Sequence, residues 1–251
     1  MNTVPEPPAT AALVEGRTVA QENIRRLGGR TLRLLCRPTV EGLEHVPDTG
    51  GFIVASNHLS FLDSVLMQGI FPRAVSFFAK AEYFTQPGLR GKGMRFFFES
   101  FGSVPVDRDR QSGAVEALFG LTSIINAGHG VGIYPEGTRS RDGRLYRGKN
   151  GVGWLALATG APVIPVGLRG TEKLQPPGKN MMRPAKFEMR VGAPLQFDKL
   201  GEKHSMKPRK EATNAVMDAI AALSGQERVQ EYNTRPTEPD TDAGGTTGAD
   251  G

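Results

Sequence analysis

Cysteine is nearly absent: Cys36 is the single one in 251 residues. One thiol excludes an internal disulfide and any cysteine-rich metal site. A reducing compartment is its natural setting. No second histidine or cysteine lies close to His58, so the clustering that zinc needs is missing there. Long apolar runs are missing too. A spanning helix takes about 20 apolar residues, and the nearest candidate, 154–168, is interrupted by Thr159, Gly160, Pro162 and Pro165. Membrane contact is therefore expected to be peripheral. Residues 1–10 are polar with three prolines and lack a basic flank before an apolar core, so they do not read as a secretory signal.

What is present is positive charge on an ordinary apolar background. Residues 1–230 hold 30 Lys and Arg against 21 Asp and Glu, a balance of +9. Such a body suits anionic partners: phosphorylated ligands, an anionic lipid surface or nucleic acid. Nucleic acid is the remote reading, because the basic residues are not interleaved with a recognisable binding motif. The length suits one α/β domain with a sizeable core. It is expected over 39–224, after a disordered start over 1–13 and a basic amphipathic helix over 14–38. A disordered acidic tail is expected over 225–251. The helix repeats Ile24, Leu27, Thr31, Leu34 and Leu35 at three- and four-residue steps and carries six arginines. Either it lies on lipid with its arginines toward head groups, or it packs on the domain with a solvated basic face. Gly28 and Gly29 should weaken or bend it.

Short apolar runs over 51–56, 74–79, 103–106, 130–134, 161–168 and 186–191 read as strands, with a short edge strand at 39–43. Pro162 and Pro165 argue that 161–168 is an edge or irregular strand. Helical spacing marks 113–126, 151–159 and 207–223, and part of 91–99. The alternation is that of an α/β fold. The phenylalanines between 84 and 101 suit either a pocket for an apolar chain or ordinary core.

Chemistry gathers past the strand ends, where ligands sit in α/β sheets. Asn57-His58-Leu59-Ser60-Phe61-Leu62-Asp63 follows the second strand. His58 can take a proton from an alcohol near neutrality, and Asp63 can hold its other ring nitrogen. On spacing alone, a loop histidine and a helix cap explain the same residues. Pro135-Glu136-Gly137-Thr138-Arg139-Ser140 follows the fourth apolar run. Arg139 could grip a phosphate as a fork, oriented by Glu136; a surface turn with local ion pairs fits equally well.

Four stretches in order resemble the glycerolipid acyltransferase family, and within it bacterial 1-acylglycerol-3-phosphate acyltransferases. Asn57, His58, Ser60 and Asp63 match Asn-His-x-Ser-x-x-Asp. Lys80 and Gly102 to Arg108 resemble the second block. Tyr134-Pro135-Glu136-Gly137-Thr138-Arg139-Ser140 resembles the third, with Tyr for the usual Phe. Val163-Ile164-Pro165-Val166 resembles the fourth. The resemblance implies a mixed, mostly parallel sheet with flanking helices. It implies His58 as base and Asp63 as its orienter, with Ser60 not a nucleophile and Asn57, Ser60 and Pro165 as motif support. Glu136, Gly137, Thr138, Arg139, Lys80 and Arg108 resemble the acceptor-phosphate site. The implied co-substrates are a lysophospholipid and acyl-CoA or acyl carrier protein, with no bound cofactor and no metal. Peripheral attachment to the cytoplasmic face of the plasma membrane follows as an expectation, since the acceptor lives in a bilayer.

Overall fold

The structure, a computed structural model, describes residues 19–80, 87–88, 91–93, 95–96, 104–106, 113–175, 183–201 and 205–234. The elements run α1 (Val19–Cys36), β1 (Thr39–Glu41), β2 (Phe52–Ser56), α2 (Asp63–Ile70), β3 (Val75–Lys80) and β4 (Val104–Val106). They continue with α3 (Gly113–Asn126), β5 (Gly130–Ile133), α4 (Gly151–Thr159), β6 (Val163–Arg169), β7 (Glu188–Val191) and α5 (Met206–Ser224).

The sheet order is β1-β7-β6-β2-β5-β3-β4. β6, β2, β5, β3 and β4 are parallel, β7 is antiparallel to β6, and β1 is parallel to β7. This is the expected mixed, mostly parallel sheet. β2 is buried along its whole length, which is why its sequence is a continuous apolar run and not an alternation. Ile53 and Ala55 point into the layer that holds α3, α4 and α5, while Phe52 and Val54 point into the layer that holds α2. The connection from β5 through α4 to β6 passes over β2, so the chain leaves β2 in opposite senses on its two sides. A crevice opens at such a reversal, beyond the carboxyl ends of the strands.

β6 is not the edge strand its prolines suggested; it lies between β2 and β7. Val163 donates its N–H to Leu195 on the β7 side (2.9 Å), and Pro165, two residues on, turns its missing donor the same way. The β7 ladder runs out there: Gly192 donates to the Pro165 carbonyl (2.8 Å), and the return bond is the one a proline cannot make. An interior proline is tolerated where the neighbouring strand ends.

α1 is continuous through Gly28 and Gly29. A Cβ on Gly29 would stand 1.9 Å from the Gly69 carbonyl oxygen of α2, so Gly29 serves a close helix crossing and not a bend. Arg25 is 4% exposed. Its guanidinium donates to the Gln68 and Phe71 carbonyls (2.7 and 2.9 Å) and to Glu22. Those bonds hold the Glu22 carboxyl down at about 2 against its burial, with Arg26 assisting. Arg25 therefore docks α1 on the carboxyl end of α2 and does not face solvent or lipid. Arg37, at φ 44, ends the helix ahead of Pro38, which cannot continue it.

The disorder expected from residue 225 does not begin there. Gly225, at φ 64, closes α5 and turns the chain back. Residues 226–234 then run beside the loop that follows β5. Leu145 N–H donates to Glu227 O (2.8 Å), Val229 N–H to Leu145 O (2.9 Å) and Arg147 N–H to Glu231 O (2.9 Å). Backbone groups make this pairing, so a polar composition gave no sign of it. Residues 235–251 lie outside the described residues, as do 1–18.

Candidate active site

The turn after β2 is built by Asp63. Its backbone N–H donates to Ser60 O (3.1 Å) as α2 begins. Its Oδ2 accepts from His58 Nδ1 (2.9 Å), Leu59 N–H (2.7 Å) and Ser60 N–H (2.8 Å). The carboxylate thus reaches back over the turn and not forward to cap α2. Asp63 is fully buried. With the proton on Nδ1 facing Asp63, the basic lone pair of His58 falls on Nε2. Ser60 is 1% exposed, and its Oγ accepts from Leu62 N–H (3.3 Å). It shapes the turn.

Asn57 anchors the turn to the sheet. Its side-chain amide copies a peptide group, donating to Leu168 O (2.9 Å) and accepting from Leu168 N–H (2.8 Å) at the end of β6. The same Nδ2 donates to Gln226 Oε1 (2.7 Å). The His58 ring stacks on Tyr134, centroids 3.9 Å apart and planes 11° apart. The Tyr134 hydroxyl pairs with Ser64 Oγ at 2.8 Å, a bond that a phenylalanine could not make.

Glu136 takes a different place from the one expected. It is fully buried and its two oxygens accept from His58 N–H (3.3 Å) and Tyr146 N–H (2.9 Å). Burial pushes its carboxyl up to about 7; the two backbone bonds pull the other way, and Asp142 and Asp63 add to the rise. It ties the loop after β5 to the His58 turn. Ser140 N–H donates to His58 O (2.8 Å) and makes the same connection.

Gly137, at φ 78, holds a left-handed backbone that favours glycine, and the Lys149 side chain lies against it. Thr138 and Arg139 are half-buried in the loop. Lys80 ends β3, paired in register with Val106, and Arg108 lies outside the described residues. Pro165 pairs with Ala55 in the sheet.

His58, Tyr134, Pro135, Gly137 and Lys149 line a cavity of about 410 Å³, together with Phe77, Phe78, Leu118, Leu121 and Ile133. Its apolar wall comes from β3, α3 and β5. Most of the phenylalanines between 84 and 101 lie outside the described residues. Lys149 is a site residue that the sequence reading passed over. It precedes Asn150, the N-cap of α4, where the helix dipole disfavours a cation. Such a local conflict is a mark of function.

A buried carboxylate, an oriented imidazole and a cavity with both a cation and apolar walls suit acyl transfer to an alcohol. The acyltransferase family profile matches residues 37–169, which span β1 to β6 and the whole His58 turn. The chain belongs to the acyltransferase family. It is 35% identical over 140 residues to the chloroplastic 1-acyl-sn-glycerol-3-phosphate acyltransferase BAT2 of Brassica napus, covering 55% of this chain and 39% of that protein. It is 28% identical over 176 residues to the 1-acyl-sn-glycerol-3-phosphate acyltransferase of Bacillus subtilis, covering 68% and 81%. The crystal structure of the 1-acyl-sn-glycerophosphate acyltransferase PlsC of Thermotoga maritima superposes with a TM-score of 0.61 at 28% identity, over 81% of this chain and 79% of that one. The chain spans about two fifths of the length of the chloroplastic relative. The resemblance carried by the four sequence blocks is therefore met, and in the second block only as far as β3 and β4 are described.

Proposed function

We propose that this acyltransferase moves a fatty acyl group from a thioester to the free hydroxyl of 1-acylglycerol-3-phosphate, forming phosphatidic acid. The observation that carries it is the 2.9 Å bond between His58 Nδ1 and Asp63 Oδ2 at a cavity that also holds Lys149. His58 Nε2 removes the acceptor's hydroxyl proton as the oxygen attacks the thioester carbonyl. Asp63 stabilises the imidazolium that forms. The tetrahedral intermediate collapses, the C–S bond breaks, and the thiolate takes the proton from His58. The buried Ser60 Oγ supports direct attack without an acyl-enzyme.

The acceptor phosphate is assigned to the loop of Gly137, Thr138 and Arg139, with Lys149 beside Gly137 and Lys80 and Arg108 as further cations. Glu136 holds the loop's shape. The donor is acyl-CoA or acyl carrier protein. Another lysophospholipid or a glycolipid is the alternative acceptor. We also propose that the enzyme sits peripherally on the cytoplasmic face of the plasma membrane. Among the described residues no helix is long and apolar enough to cross a bilayer, while Leu27, Leu34 and Leu35 of α1 are 66%, 74% and 57% exposed. Purified protein given lysophosphatidic acid and a long-chain acyl-CoA should release free thiol and form phosphatidic acid. Absence of both products with every phosphorylated lysolipid, using CoA and carrier-protein donors alike, would overturn the assignment.

A further inference from the structure

The loop over 136–147 carries the proposed phosphate site, and it is held from two sides. On the inner side are the Glu136 bonds to His58 and Tyr146 and the Ser140 bond to His58 O. The outer side is covered by residues 226–233. Gln226 uses both ends of its amide there. Its Oε1 accepts from Asn57 Nδ2 (2.7 Å), next to His58, and its Nε2 donates to Gly143 O (2.7 Å), at the loop's tip. Asn233 Nδ2 donates to Arg139 O (3.0 Å). Between them run the three backbone bonds at Leu145 and Arg147, and the Arg147 guanidinium lies 4.8 Å from the Tyr232 ring centroid. None of the described residues lining the cavity comes from this strap.

We propose that residues 226–233 are a positioning strap for the acceptor site, with Gln226 and Asn233 as its positioning residues. One side chain spans from the His58 turn to the phosphate loop, and a second holds the backbone of Arg139 itself. The strap sets the separation of base and phosphate clamp, and hence how tightly a phosphorylated acceptor is held while its hydroxyl faces His58. A misplacement of about 1 Å at such a group can cost on the order of 10²-fold. The inference rests on the acyl-transfer reading above.

The test uses full-length protein with Gln226→Ala, Gln226→Glu and Asn233→Ala. Two readouts are taken: steady-state kinetics with lysophosphatidic acid and acyl-CoA, and amide hydrogen exchange over 139–147. Gln226→Ala should raise the acceptor KM about tenfold, the worth of one or two hydrogen bonds, and leave the donor KM within about twofold. Exchange at the loop amides should quicken while β2 and β5 keep their protection. Gln226→Glu retains an oxygen for Asn57 and loses the donor to Gly143, so its loop should also exchange faster. Asn233→Ala should act in the same direction through Arg139. Unchanged exchange over 139–147 in all three variants overturns the proposal. So does an equal rise in both KM values with a lowered melting temperature, which is the mark of a merely stabilising segment. If the parent transfers no acyl group, the activity reading fails by itself, and the exchange data still decide whether the strap orders the loop.

Discussion

At the scale of single residues, the site works through where its carboxylates point. Asp63 gathers three donors on one oxygen, so removing His58 leaves the turn itself tied. His58→Ala should therefore fold and lose at least about a hundredfold in kcat, since a positioned base contributes 10² to 10⁴. Ser60→Ala should lose far less, and a Ser60 trapped as an acyl ester and seen by mass spectrometry would overturn direct attack. Glu136 gives a pH prediction. Its folded value near 7 lies above the ordinary 4.5, so the folded state binds the proton more tightly. Its contribution to stability is complete below about pH 4.5 and is lost as pH rises through 7. The loss is on the order of 3 kcal/mol at 1.36 kcal/mol per unit. Denaturant midpoints for the parent and Glu136→Gln between pH 5 and 8 should differ in slope, the variant losing this fall. Parallel slopes would remove Glu136 from the account. The spacing of His58 and Asp63 was legible in the sequence. The inward turn of Glu136 was not, because it depends on two backbone N–H groups presented by separate segments.

At the scale of elements, the α1–α2 crossing sets two local rules against each other. Alanine at Gly29 would gain about 1 kcal/mol of helix propensity. Its Cβ would also meet the backbone oxygen of Gly69 at 1.9 Å, an atom that cannot rotate away. Overpacking of this kind costs about 1–3 kcal/mol, so Gly29→Ala should lower the urea midpoint. A raised midpoint would show that the helices are not in close contact. Asp63 is the first residue of α2 and Gly69 lies near its last, so this crossing fixes the far end of the helix that Asp63 begins. Gly28-Gly29 was visible in the sequence as a weakness in a helix. Only the partner helix turns it into a contact.

At the scale of the whole molecule, the proposed membrane attachment can be tested on what α1 leaves uncovered. Arg25 is taken up in docking, and Arg33 donates to Ile70 O at 3.1 Å. Arg26 and Arg30 remain exposed on the same helix as Leu27, Leu34 and Leu35. Each arginine near an anionic surface contributes about 1 kcal/mol. Replacing Arg26 and Arg30 with Gln should weaken binding to anionic vesicles by up to about 30-fold in cosedimentation, and replacing the three leucines with Ser should abolish most of what remains. If both variants bind as the parent does, the anchor lies elsewhere. Replacing Arg25 as well would confuse the result by undocking the helix. The sequence by itself laid out the alternation of strands and helices and put His58 and Asp63 within one turn of each other, because periodicity and short spacings are properties of neighbouring residues; the pairing of the two came from the four-block resemblance. Tertiary structure alone decided that β6 is interior, that Lys149 reaches the cavity beside Gly137, and that residues 226–233 return to pair with the loop after β5. Each of these depends on separate segments meeting in space, where no local pattern records the partner.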